Sequence, residues 1–212
     1  MKRKEKKRMR KVSGTICMIL GVLLIGAAAV LFGMNRREAK EAAEAAEAVL
    51  PQLVEKMEKN AGKEDPETGE ENPLPDPYDP EMREEEIGGE RYVGYLSIPS
   101  LGLELPVISE WSYERLKTAP CRYAGSSKTG DLVIAAHNYA RHFGRLAEIS
   151  PGAEVYFTDM DGVVSAYEVI GVEELGPSDV EEMTAGEYDL TLFTCTYTGR
   201  SRVTVRCSQK KS

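Results

Sequence analysis

Leu190-Thr191-Leu192-Phe193-Thr194-Cys195, followed seven positions after its thiol by Arg202-Val203-Thr204-Val205, decides how this chain is read. Both runs are short, apolar and β-branched, which predicts two strands. The thiol then closes one strand and the guanidinium opens the next. A nucleophilic cysteine needs a base or a cationic neighbour to give thiolate, and fixed positive charge where an oxyanion or carbonyl will sit. The base has few sources, because the chain holds only two histidines, His137 and His142. His137 ends the run Asp131-Leu132-Val133-Ile134-Ala135-Ala136, which reads as a buried strand opening into the polar loop Asn138-Tyr139-Ala140-Arg141-His142. A strand end holds a catalytic side chain rigidly. His142 reads as a structural or loop residue. Arg200 and Arg206 share strand parity with Arg202. Arg202 is preferred because Val203, Val205 and Cys207 form a core-facing set directly after it, with Arg200 as the alternative.

From residue 91 onward, short alternating runs are separated by Gly, Pro and Asp, a pattern of an all-β barrel or sandwich. Strands are expected at about 91–98, 103–108, 131–136, 153–158, 164–173, 189–195 and 201–207. Helical turns are expected at 112–117, 143–149 and 178–183.

Four segments in order resemble the sortases, membrane-anchored cysteine transpeptidases of Gram-positive cell surfaces. They are Gly94-Tyr95-Leu96-Ser97-Ile98-Pro99 with Leu103-Glu104-Leu105-Pro106-Val107, then Ala135-Ala136-His137-Asn138, then Thr191-Leu192-Phe193-Thr194-Cys195, then Arg202 before its valines. Ala136 stands where the family usually has Gly, and the gap from Cys195 to Arg202 is short. The resemblance covers roughly 91–208 and implies an all-β fold, a closed sortase β-barrel of about eight strands with short helical turns. It further implies that Cys195 is the nucleophile, His137 the proton donor and Arg202 the holder of substrate carbonyls or the oxyanion, with Thr194 and Asn138 as substrate-binding candidates. The implied reaction cleaves a Leu-Pro-x-Thr-Gly-like sorting signal through a thioacyl enzyme. The acyl group passes to an amine, such as that of a peptidoglycan precursor (lipid II) or a pilin lysine. No organic cofactor is implied and no nucleic-acid partner is expected. The short loop from Gly171 to Asp189 resembles class A or class D members. Two other readings use the same residues: an extracellular cysteine endopeptidase in which water takes the acyl group, and a non-catalytic binding module in which Cys195 is merely core.

Charge is distributed unevenly along the chain. Residues 1–11 carry eight basic side chains and one acid, about +7, whereas the whole chain of 212 residues has a net charge of -8. This basic segment precedes residues 12–34, where Cys17 has the only ionisable side chain. Twenty-three residues at roughly 1.5 Å each reach about 34 Å, against a hydrocarbon core of roughly 30 Å. The pattern predicts a single-pass signal anchor with a cytoplasmic amino terminus and an extracellular catalytic domain. A cleaved signal peptide, with Ala27-Ala28-Ala29 as its site, is the alternative. Residues 35–90 are expected to form an Ala/Glu-rich helical stalk and then an acidic, proline-rich spacer that orders little. Within that spacer Asp76-Pro77-Tyr78 is a candidate for a lid over the site. Residues 209–212 are a tail.

Asp159-Met160-Asp161-Gly162 resembles the opening of a calcium loop but lacks the later ligands, so a hairpin turn is preferred. Calcium through Glu173, Glu174, Asp179, Glu181 and Glu182 is the lesser alternative, and no other metal is expected. Cys121 and Cys207 are expected to be small buried residues without a bond, with a disulfide between them as the alternative.

Overall fold

A computed structural model describes residues 2–60 and 80–210, with side chains from Ile16 onward. Helix α1 runs Lys2–Asn60. Nine strands follow: β1 (Glu85–Ile87), β2 (Glu90–Ile98), β3 (Leu103–Ile108), β4 (Cys121–Ala124), β5 (Leu132–Ala136), β6 (Glu154–Asp159), β7 (Val164–Leu175), β8 (Leu190–Cys195) and β9 (Arg202–Gln209). A short helix α2 (Val180–Thr184) lies between β7 and β8. Single turns of 3-10 helix at Pro99–Leu101 and Arg115–Lys117, and a longer one at Phe143–Glu148, fill connections.

The sheet order is β1-β2-β3-β4-β5-β8-β9-β7-β6, and β6 pairs back onto β2. Strands β2 to β9 therefore close into an eight-stranded barrel, with β1 added outside the ring through its hairpin with β2. Closure leaves those eight strands without a free edge. Alternation puts Leu132, Ile134, Leu190, Leu192, Val205 and Cys207 inside the barrel. It puts Val133, Ala135, Phe193 and Cys121 in a second apolar layer on the outer face. Every residue of β5 is buried, as expected for a strand covered on both faces.

The seven expected strands and three helical turns each have a counterpart. Two strands are additional. β4 is only four residues, carries Arg122 and has an irregular register against β5, so it shows no apolar alternation. β1 lies in acidic sequence expected to order little, yet Ile87 and nearby Met82 are buried. The candidate lid Asp76-Pro77-Tyr78 lies outside the described residues.

Contacts divide the molecule into two units, residues 1–40 and 41–212. In the first, residues 16–34 display exposed large apolar side chains from Ile16 to Met34, and this helix is long and apolar enough to cross a membrane. In the second, the Glu41–Asn60 part of α1 packs on the barrel instead of standing off as a stalk. Ala42, Ala46, Leu53 and Met57 are buried, with Val49 partly so. Their spacing of three or four residues makes one stripe. The alanines let the helix approach closely, and fully burying Leu53 stabilises the packing by about 1.5–3 kcal/mol. Lys56 and Asn60 bond Glu85, and Asn60 also donates to the Met160 carbonyl.

The two internal thiols sit on opposite sides of the sheet, Cys207 in the barrel interior and Cys121 in the outer layer, and both are free. Burial pushes each up to about 12. Asp159 to Gly162 forms the turn between β6 and β7: the Asp159 carboxylate accepts from the Asp161 and Val163 N–H groups. Asp161 pairs with Arg83 and Lys128. Among the acids considered for calcium, Glu173 binds Arg206, Glu174 accepts from Ser201, and Asp179 caps the Gly176 N–H.

Candidate active site

The site lies where β5, β8 and β9 end together. Parallel pairing of β5 with β8 sets Ala136 opposite Thr194, so His137 and Cys195 are the next residues on adjacent strands, about 4.8 Å apart in the pairing direction. Antiparallel pairing of β8 with β9 sets Cys195 directly opposite Arg202. All three side chains line one groove. Cys195 and Phe193 fall on the outward parity of β8, so the thiol opens to the groove rather than to the interior.

Arg202 is held by its own turn, its Nη1 donating to the Gly199 and Ser201 carbonyls. The turn itself is braced where Thr196 N–H donates to Ser201 O and Gly199 N–H to Thr196 O. Among the described residues no protein acceptor takes Arg202 Nε or Nη2, which leaves those donors for a ligand. Arg200 is exposed and does not line the groove. Arg206 is buried and spent on structure.

Thr194 also lines the groove. It is buried, and its hydroxyl donates to the Ala136 carbonyl at 2.8 Å, so it ties β8 to β5 just beneath His137. Asn138 is half-buried and is not among the groove-lining residues.

Besides Phe193, the groove walls carry residues that strand reading did not pick out. Trp111, Tyr123 and Phe193 stack edge to face, with ring centroids 5.6 and 5.2 Å apart, and Tyr113 stands 4.9 Å from Trp111. Such edge-to-face pairs are favourable packing in their own right. Opposite, Pro177, Val180 and Met183 come from the segment around α2. The pairing of the single tryptophan with Tyr113 was the available signal, but its approach to Phe193 depends on tertiary structure.

Behind the groove, the rings of His137, Tyr139 and His142 form a row with centroid spacings of 4.9 and 5.7 Å. His142 is fully buried, and neither of its ring nitrogens completes a hydrogen bond. Burial, with a smaller contribution from His137, pushes it down to about 4, opposed by the nearby Ala42 carbonyl of α1. A depressed histidine binds its proton more readily in the unfolded chain, so stability must fall as pH drops from 6.5 towards 4. The expected loss is on the order of 3 kcal/mol across that window. Denaturation midpoints measured at pH 7 and pH 5 check this: His142→Phe should flatten the difference, and an unchanged slope would remove His142 as its source.

The Sortase domain model matches residues 96–210, more than half of the chain. The chain belongs to the sortase family. This sortase is 26% identical to Sortase A of Bacillus anthracis over 186 residues, spanning 85% of this chain and 87% of the relative. Among solved structures, sortase C1 of Streptococcus suis shares 27% identity at a TM-score of 0.50, covering 57% of this chain and 74% of that one. A sortase C of Clostridium perfringens, solved with the C-terminal cell wall sorting motif, shares 23% identity at a TM-score of 0.51, covering 76% and 88%. Relatives with class A and class C names both match, so the likeness gives the family and not the subclass. As a sortase, the protein is a cysteine transpeptidase of surface proteins, and its amino-terminal apolar helix fits a single membrane span.

Proposed function

We propose that this sortase cleaves a sorting signal similar to Leu-Pro-x-Thr-Gly and transfers the acyl part to an amine. The observation that carries this reading is the convergence of Cys195, His137 and Arg202 on one groove. In the first half-reaction the Cys195 thiol passes its proton to His137 as the sulfur attacks the Thr–Gly carbonyl, and the tetrahedral oxyanion draws the Arg202 Nε and Nη2 donors. Collapse breaks the C–N bond, leaves a thioester on Cys195, and sends the amine away with a proton from His137. In the second half-reaction an incoming amine gives up its proton to His137 and attacks the thioester. The thiolate departs and a new amide forms.

The acceptor is proposed to be the amine of a peptidoglycan precursor such as lipid II, or of a pilin lysine. The Clostridium perfringens relative that holds a sorting motif supports the donor half of this scheme by analogy. Residues 12–34 are proposed as a retained anchor, with the basic segment 1–11 cytoplasmic and the barrel outside. A class A or class D assignment is proposed on the short connection between β7 and β8.

The endopeptidase alternative differs only in the acceptor, so product analysis separates the two. Incubated with a Leu-Pro-x-Thr-Gly peptide and a glycine-based amine, the enzyme should give an amide product by mass spectrometry in preference to the hydrolysed acid. Acid alone at saturating amine would favour the peptidase, and no cleavage at the Thr–Gly bond would remove the sorting-signal assignment.

A further inference from the structure

Arg206 is a buried cation that the reaction does not use. It lies on β9, opposite Thr191 of β8 and Gly171 of β7, some four residues along the strand from the catalytic end. Its side chain is only 6% exposed. Burying a guanidinium is costly unless its donors are satisfied, and here they are distributed over several elements. Nε donates to Glu173 of β7 at 2.7 Å, Nη1 to the Thr191 hydroxyl at 3.1 Å, Nη2 to the Glu182 carbonyl at 2.8 Å, and Nη1 reaches the Met183 carbonyl at 3.5 Å. The guanidinium also lies 4.7 Å from the Tyr188 ring centroid.

Two of these partners belong to α2, which the same connection presents to the groove. Met183 joins both roles: Arg206 reaches its carbonyl, while its side chain lines the groove beside Val180 and Pro177. The connection from β7 to β8 is also tied at its ends, through Asp179 to Gly176 N–H and through Asp189 to Gln209 N–H, and Met183 is buried in the outer apolar layer. Between them, Arg206 supplies the polar fork that fixes α2 on the barrel beside the Met183 anchor.

We propose that Arg206 is a positioning residue that holds α2 as one wall of the groove and thereby sets the enzyme's affinity for the sorting-signal peptide. The proposal rests on the groove being the substrate site. Lysine keeps the charge but offers a single point in place of a planar fork, so it cannot serve β7, β8 and α2 together.

The test uses the full chain and a Leu-Pro-x-Thr-Gly peptide with hydroxylamine as acceptor. Arg206→Gln is expected to raise KM about tenfold with kcat changed less than about threefold, and Arg206→Lys to fall between it and wild type. Alkylation of Cys195 by iodoacetamide, too small to need the wall, should keep its rate, and amide hydrogen exchange over 177–188 should quicken. Should Arg206→Gln fail to fold, Glu173→Gln and Tyr188→Leu each remove one contact and should raise KM about threefold. Equal loss of kcat and alkylation at unchanged KM, or single-contact variants with wild-type KM, would overturn the proposal. Absence of peptide turnover in the wild-type enzyme would instead strike the sorting-signal assignment itself.

Discussion

Cys195→Ala is expected to abolish ligation, lowering turnover at least about 10⁴-fold, while the barrel remains folded. The change removes one sulfur atom from a half-buried position at a strand end, so no large cavity forms and the register of β8 with β5 and β9 is kept. No other thiol can take its place. Cys121 and Cys207 are buried and held as thiols by pKa values pushed up to about 12, and Cys17 lies in the apolar helix far along the sequence. Mass spectrometry of the reaction with peptide and amine, alongside circular dichroism, reads both halves of the expectation. A variant that folds and still joins peptide to amine would show that the nucleophile lies elsewhere. An intact barrel with no activity would also dispose of the binding-module alternative, provided the wild type is active.

The second large effect is on stability and concerns Gly94. It lies in β2 with β3 on one side and β6 on the other, at the seam where the barrel closes. Its φ is +151°, and a Cβ there would fall 2.1 Å from the Thr158 carbonyl oxygen and 2.9 Å from the Phe157 ring. Gly94→Ala therefore combines an unfavourable backbone conformation with a clash against backbone that cannot swing aside. Together these are expected to cost about 3–5 kcal/mol, a large share of the roughly 5–15 kcal/mol that holds a typical domain. Gly88→Ala is the control, because Gly88 also has positive φ (+62°) but open space around it. Urea denaturation should show a far larger loss for Gly94→Ala, and equal losses would mean that β2 shifts enough to relieve the clash.

Much of the barrel could be read from residues alone because its strands are locally unambiguous. β5 is a continuous apolar run that leads into His137, β8 sets Leu190, Leu192 and Phe193 among threonines before Cys195, and the valines after Arg202 alternate cleanly. The packing of α1 was less legible. Its contact stripe is built from Ala42, Ala46 and Val49 before it reaches Leu53 and Met57, and alanines carry too little apolar surface to mark a face. β4 was hidden by its length and by Arg122, which donates to the Ser109 carbonyl. The roles of Thr194 and Arg206 depend on partners across strands: strand parity placed Arg206 beside Arg202, but only tertiary structure separates a guanidinium buried under α2 from one open to the groove. The aromatic wall likewise depends on tertiary structure, since Phe193 lies 70 residues after Tyr123 and reaches it only through the β4-β5-β8 strand order.

The parallel alignment of β5 and β8 has a temporal implication. Cys195 and Arg202 come together through a local hairpin, but the imidazole belongs to a strand that must be brought in from far upstream, since the Thr194 to Ala136 bond beside it spans 58 residues. Long-range pairings of this kind form after local ones, because ordering the intervening chain precedes the contacts that reward it. A partly folded molecule would thus hold sulfur and guanidinium without their proton shuttle, and full reactivity would arrive only once β5 has docked on β8.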